Sequence, residues 1–157
     1  MNTPINQAET ETLTLNLILN SDDSPASISE LLLTLEERNA APTISNAVDA
    51  IRYNLPNTVE ALVECNSKLI NSPKLLYTAA EDGNINICSI LVSKGSDINS
   101  EVMAPLSAAS KNGQYNTVKL LIENGALVTI NNNEPLRLAK DRNRSAVIEL
   151  LSSYSLF

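Results

Sequence analysis

From Leu75 onward the chain repeats itself at a shift of thirty residues, and this period constrains the fold more than any other feature of the sequence. In LLYTAAEDGNINICSILVSKGSDIN, Gly83 and Gly95 stand thirty before Gly113 and Gly125 of APLSAASKNGQYNTVKLLIENGA. Downstream, EPLRLAKDRNRSAVIELLSSY puts Pro135 thirty after Pro105 and Asn143 thirty after Gly113. Ala79, Ala109 and Ala139 keep the register, as do Leu91, Leu121 and Leu151. A fourth copy, NAVDAIRYNLPNTVEALVECN, lies upstream with one residue of slippage, Ala50 taking the Ala79 place and Leu62 the Leu91 place. Self-similarity at this length marks stacked supersecondary units.

Each copy reads as two short helices. In NTVKLLIENG, Val118, Leu121 and Ile122 give one apolar face about ten residues long. Ala79, Ala80, Ala108 and Ala109 keep the leading helix slim enough for close packing. Pro105 and Pro135 suit the first turn of a leading helix, and Pro56 that of a trailing one, where the missing N–H costs nothing. Glycine closes the helices in two copies, and Asn54, Asn66 and Asn143 stand at equivalent places in the others. Asn is the non-glycine residue that best tolerates a left-handed backbone, so all three are expected in that conformation. One such pair cannot bury its apolar side alone, whereas stacked pairs can.

Composition narrows the chemistry. With one Phe, four Tyr and no Trp, any core is aliphatic. No histidine is present, which removes the commonest metal ligand and general base. Cys65 and Cys88 are too few and too badly spaced for a disulfide framework or a zinc site. The net charge of −7 lies entirely in residues 1–71, which hold ten acids against Arg38, Arg52 and Lys68, while residues 72–157 balance. Nucleic acid and anionic membrane are therefore poor partners. The first twenty residues carry no basic segment ahead of their short apolar run, and no run reaches the ~18 residues of a membrane span. The expectation is a cytoplasmic, reduced setting.

APLSAASKNG and ICSILVSKGSDIN resemble the two halves of the ankyrin repeat, T-P-L-H-x-A-A-x-x-G and V-V-x-L-L-L-x-x-G-A-D-V-N. TVKLLIENGALVT matches the second half again. The resemblance covers roughly residues 44–154. It implies an all-α, ankyrin-like solenoid of stacked antiparallel helix pairs. The repeats are expected at 44–71, 72–101, 102–131 and, as a capping copy, 132–157. The family's period is usually thirty-three, so about three finger residues are missing and short loops should replace β-hairpin fingers. The family's bracing histidine is replaced by Tyr77, Ser107 and Arg137.

Residues 1–43 are either a worn further repeat or an unrelated helical cap. TETLTLNLILNS and ASISELLLTLEERNA both read as helices, with Ser27 and Glu30 at capping-box spacing.

No constellation for catalysis emerges, so no enzyme activity, cofactor or metal is expected. The acid pairs Asp22–Asp23, Glu36–Glu37 and Glu81–Asp82 read as solvated surface, since adjacent helical residues point apart and no base or nucleophile accompanies them. Cys88 falls on an inward apolar place. The basic group Arg137, Lys140, Arg142 and Arg144 reads as the solvated face of a last repeat.

The resemblance places partner contacts on the concave side, at the two residues before each leading-helix stop and in the adjoining loops. Those residues are Arg52 and Tyr53, Glu81 and Asp82, Lys111 and Asn112, and Asp141 and Arg142, joined by Val128 and Ile130 as apolar residues expected to be exposed. Tyr53 is either an interface anchor or ordinary packing. The function expected is a monomeric, non-enzymatic protein-binding module, an adaptor or inhibitor. The alternative is a secreted effector of an intracellular microbe that binds a host protein, with SSYSLF as a C-terminal export signal.

Overall fold

The computed structural model describes residues 6–154, and among them there are ten α-helices, one 3-10 turn and no strand. Residues 1–5, where the stretch read for a leader begins, and 155–157, which end SSYSLF, lie outside the described residues. The protein divides into two compact units, residues 1–69 and 70–157.

The first unit holds α1 (Gln7–Leu19), α2 (Pro25–Glu37), α3 (Ile44–Arg52) and α4 (Pro56–Cys65). Helix α1 packs on α2 and α3, α3 on α4, and α2 on α4, so like helices of the two pairs lie side by side. Ile18, Leu31, Leu35, Ile51, Val59 and Leu62 fill the space between them, all buried. Such side chains each contribute about 1.5–3 kcal/mol on leaving water.

Local caps refine the sequence reading here. Helix α2 begins at Pro25, not Ser27; Ser24 is its N-cap, and its Oγ accepts from the Ser27 N–H at 3.3 Å. The Pro at position 25 fixes the helical φ one turn earlier than the Ser27–Glu30 spacing implies. The pair Asp22–Asp23 is not merely solvated surface. Asp23 caps α4 from outside: its carboxylate accepts from the backbone N–H groups of Asn57 (3.0 Å) and Thr58 (2.7 Å) and from the Thr58 hydroxyl (2.8 Å). Leu55, the N-cap residue of α4, has no side-chain oxygen with which to do this. A carboxylate there satisfies orphan donors and meets the positive end of the helix dipole.

The second unit holds α5 (Pro73–Asp82), α6 (Ile85–Ser93), α7 (Pro105–Asn112), α8 (Tyr115–Glu123), α9 (Ile130–Asp141) and α10 (Ser145–Tyr154). The leading helices α5, α7 and α9 pack in one row and the trailing helices α6, α8 and α10 in another, each leading helix resting on its own trailing helix. Ala79, Ala109 and Ala139 lie in the leading row fully buried, as do Leu91 and Leu121 in the trailing row. A methyl group is the largest side chain that such close helix contacts admit.

The register residues also set the helix ends. The carbonyls of Ala50, Ala79, Ala109 and Ala139 each accept the N–H five residues on, from Leu55, Asn84, Gln114 and Arg144, at 2.9–3.0 Å. That bond closes only if the residue between is left-handed. Gly83 and Gly113 take it at φ 76°, and Asn54 and Asn143 at φ 54°. Asn66 departs from the expectation: its φ is negative (−132°), its side-chain Nδ2 donates to the Pro42 carbonyl at 2.8 Å, and the backbone runs on into the 3-10 turn Ser67–Asn71.

One feature escaped sequence reasoning altogether. Asn131, Asn132 and Asn133 are all left-handed (φ 49–61°), forming a left-handed turn inside the segment Ile130–Asp141. Regular helix resumes after it, which returns Pro135 to the first turn.

Candidate partner-binding site

The three leading-helix ends of the second unit are tied to one another by side chains reaching back one repeat. Asn112 Nδ2 donates to the Glu81 carbonyl at 3.0 Å, with Gln114 Nε2 on the same oxygen at 3.4 Å. One step on, Arg144 Nε donates to the Lys111 carbonyl at 3.1 Å. Each bond satisfies a helix C-terminal carbonyl that would otherwise need water. Asn112 is thus committed to the scaffold as well as standing at an expected contact place. Arg144 of the basic group is likewise committed to the scaffold, whereas Arg137 stays exposed on the surface, in a 3.8 Å pair with Glu134 of its own helix.

The charged side chains beside these ends are a different population. Glu81, Asp82, Lys111, Asp141 and Arg142 are half-buried or exposed, and none forms an ion pair or side-chain hydrogen bond among the described residues. Their backbones are fixed while their charges are uncommitted. In the first unit Arg52 and Tyr53 are exposed at the end of α3, Tyr53 by 52%.

The loops are short and unpaired by strands, as the missing finger residues imply. Asn99 supplies what backbone pairing would have given: its carboxamide donates to the Gly125 carbonyl (3.1 Å) and accepts from the Leu127 N–H (2.8 Å). Asn131 Nδ2 adds a bond to the Glu101 carbonyl at 3.0 Å. The apolar pattern of the second loop needs correction. Ile130 is buried, 8% exposed, because it turns inward at the start of α9. Val128 is half-buried, and the exposed apolar residues of these loops are Leu127 (56%) and Val102 (89%). Their exposure was missed because neither occupies a position that the thirty-residue register marks.

A family model for ankyrin repeats, with three copies, matches residues 47–132, more than half of the sequence. The protein belongs to the ankyrin repeat family. No curated protein matches it. Ankyrin repeats are in general protein–protein interaction modules and typically act without catalysis.

The ankyrin histidine place shows how this sequence departs from the family pattern. Ser107 stands there in the middle repeat, almost fully buried, and its Oγ donates to Glu134 Oε2 of the next repeat at 2.8 Å. Asn131 Nδ2 donates to the same oxygen at 3.2 Å. Bracing between repeats survives with a hydroxyl–carboxylate pair in place of imidazole. Tyr77 occupies the place in the preceding repeat; burial pushes its phenol above the usual range, and the Glu81 and Glu134 carboxylates add to the shift.

Among the described residues no group of three or more His, Cys, Asp or Glu is placed to hold a metal ion. Cys88 is fully buried, and burial pushes its thiol up to about 12, which leaves it inert at neutral pH. Cys65 is exposed and free. No helix of the described residues is long and apolar enough to cross a membrane.

Proposed function

We propose that this ankyrin repeat protein is a non-enzymatic adaptor or inhibitor that holds a protein partner on the leading-helix ends and loops of residues 72–157. The observation that carries this reading is the contrast between fixed backbone and free charge. Cross-repeat hydrogen bonds from Asn112 and Arg144 hold the helix ends, while Glu81, Asp82, Lys111, Asp141 and Arg142 stay uncommitted. A preorganised surface loses little conformational entropy on binding, so its contacts translate more fully into affinity. The alternating signs favour a partner of mixed charge, recognised by register more than by long-range attraction. Leu127 and Val102 add apolar contact area beside the charges. Residues 132–157 act as the capping repeat, and the two free thiols suit a cytoplasmic setting.

The test starts with a partner captured by crosslinking from the native cell, then measured with purified components. The pair Lys111→Glu and Arg142→Glu should weaken binding at least about tenfold, an effect of about 1.4 kcal/mol. The control Glu123→Lys, on the outer side of α8 in an exposed pair with Lys119, should leave binding unchanged. Both variants should fold within about 0.5 kcal/mol of the parent. Loss with the control and none with the pair would put the partner on the trailing helices.

A further inference from the structure

We propose a second, separate site in the first unit: a cleft that binds a single carboxylate through Arg38. The cleft encloses about 310 Å³ between α1 and the α2–α3 connection. Its apolar lining is Leu35, Ala40 and Ala41, and its polar lining includes Thr10, Thr14 and Arg38. That volume lies at the lower end of the roughly 300–1,000 Å³ of small-ligand sites, enough for one residue-sized group.

The hydrogen bonds lining the cleft single out the guanidinium. Thr14 Oγ1 is used by the Thr10 carbonyl at 2.7 Å, Thr43 and Asn46 close on each other as the capping box of α3, and Gln7 Nε2 donates to Glu11 at 3.1 Å. Arg38 is half-buried and makes, among the described residues, one side-chain bond, Nη1 to Thr10 Oγ1, at a long 3.4 Å. A guanidinium carries five N–H donors, so most of the fork of this cleft-lining residue has no partner among the described residues. Among the described residues no carboxylate lies within ion-pair distance of it, although residues 1–71 hold ten acids. Its backbone is fixed, because the left-handed Asn39 (φ 49°) closes the end of α2 through Asn39 N–H to Glu36 O (2.9 Å) and Ala40 N–H to Leu35 O (2.9 Å).

A planar, preorganised guanidinium beside an apolar floor matches a carboxylate on a short apolar stem. The acid-rich surroundings, Glu11 in the lining included, select against polyanions, so one negative charge fits and a phosphate does not. The carboxylate can come from an acidic side group or from the C-terminus of a polypeptide.

Titration of the full-length, ¹⁵N-labelled protein by NMR distinguishes these. The probes are N-acetylglycine for a terminal carboxylate, N-acetylglutamate α-amide for a side-group carboxylate, N-acetylglycinamide as the neutral control, and inorganic phosphate. Saturable shifts at the Arg38 guanidinium and at the amides of residues 38–41 are expected with at least one carboxylate probe and with neither control; the tighter probe identifies the source. Arg38→Gln should weaken binding at least about tenfold, Arg38→Lys should weaken it too because the fork is lost, and the exposed Lys68→Gln should leave it unchanged. Equal shifts with the neutral amide or with phosphate, no saturable shift, or full binding by Arg38→Gln would overturn the assignment. Should Arg38→Gln fail to fold, full binding by the charge-preserving Arg38→Lys would overturn it equally.

Discussion

Replacing Gly113 with Ala separates two costs that the thirty-residue period superimposes. The four glycines that close helices all have positive φ, so each incurs a backbone term of about 1–2 kcal/mol on gaining a Cβ, larger at Gly95 (φ 94°) than at Gly113 (φ 76°), less a gain from a stiffer unfolded state. Surroundings differ. A Cβ at Gly95 meets nothing within 4 Å, whereas one at Gly113 comes within 2.8 Å of Arg144 Cδ. Arg144 must then move, and its bond to the Lys111 carbonyl at 3.1 Å goes with it. An intramolecular hydrogen bond is worth about 0.5–1.5 kcal/mol, so Gly113→Ala should cost that much more with Arg144 present than in an Arg144→Ala background, whereas the cost of Gly95→Ala should be the same in both. Urea unfolding followed by circular dichroism reads both values, compared at equal denaturant slope. In an Arg144→Ala background the excess should disappear, since no long side chain remains to displace. A cost of Gly113→Ala that is the same with and without Arg144 would refute the idea that one repeat caps the helix of another.

Three further outcomes follow from the same geometry. Ser110 is fully buried in α7 and its hydroxyl has no hydrogen-bond partner among the described residues, so Ser110→Ala should raise stability by about 1 kcal/mol in urea unfolding; a loss of that size would mean the hydroxyl is satisfied. Hydrogen bonds from Ser24 and Ser27 hold the Asp22 carboxyl down, from 3.8 to about 2. A depressed acid stabilises the fold above its unfolded pKa and ceases to do so as pH falls through the folded value. Its contribution should therefore be intact above about pH 4 and lost towards pH 2, with Asp22→Asn flattening that part of the stability–pH curve. A thiol reagent should modify Cys65 alone in the native protein and both cysteines in denaturant; rapid native modification of Cys88 would contradict its burial.

How far the sequence carried depended on whether a position repeated. Ala79, Ala109 and Ala139, Gly83 and Gly113, and Asn54 and Asn143 were readable because the same packing demand recurs at a fixed step. The asparagines are not compositional noise, since among the described residues six of the seven non-glycine positions with positive φ are Asn. What the period did not mark was lost. Asn66 sits at a nominal stop, but Pro42 offers its carboxamide an acceptor that no other copy has. The left-handed Asn131–Asn133 turn was visible only as a polar run, and it draws Ile130 inward. Capping between elements was invisible for a different reason: Asp23 reaches α4 across more than thirty residues, and no local pattern encodes that distance. Among the candidate contact residues, register located the helix ends but could not separate Asn112, bound to Glu81, from Lys111, whose charge is free.

Amide hydrogen exchange with and without the captured partner tests the central claim most directly. If the leading-helix ends and loops of residues 72–157 hold the partner, protection should rise at residues 81–84, 97–103, 111–114, 127–133 and 141–144. The outer turns of α6, α8 and α10 should exchange as in the free protein. Protection confined to those trailing helices, with none at the leading-helix ends, would contradict the proposed binding face.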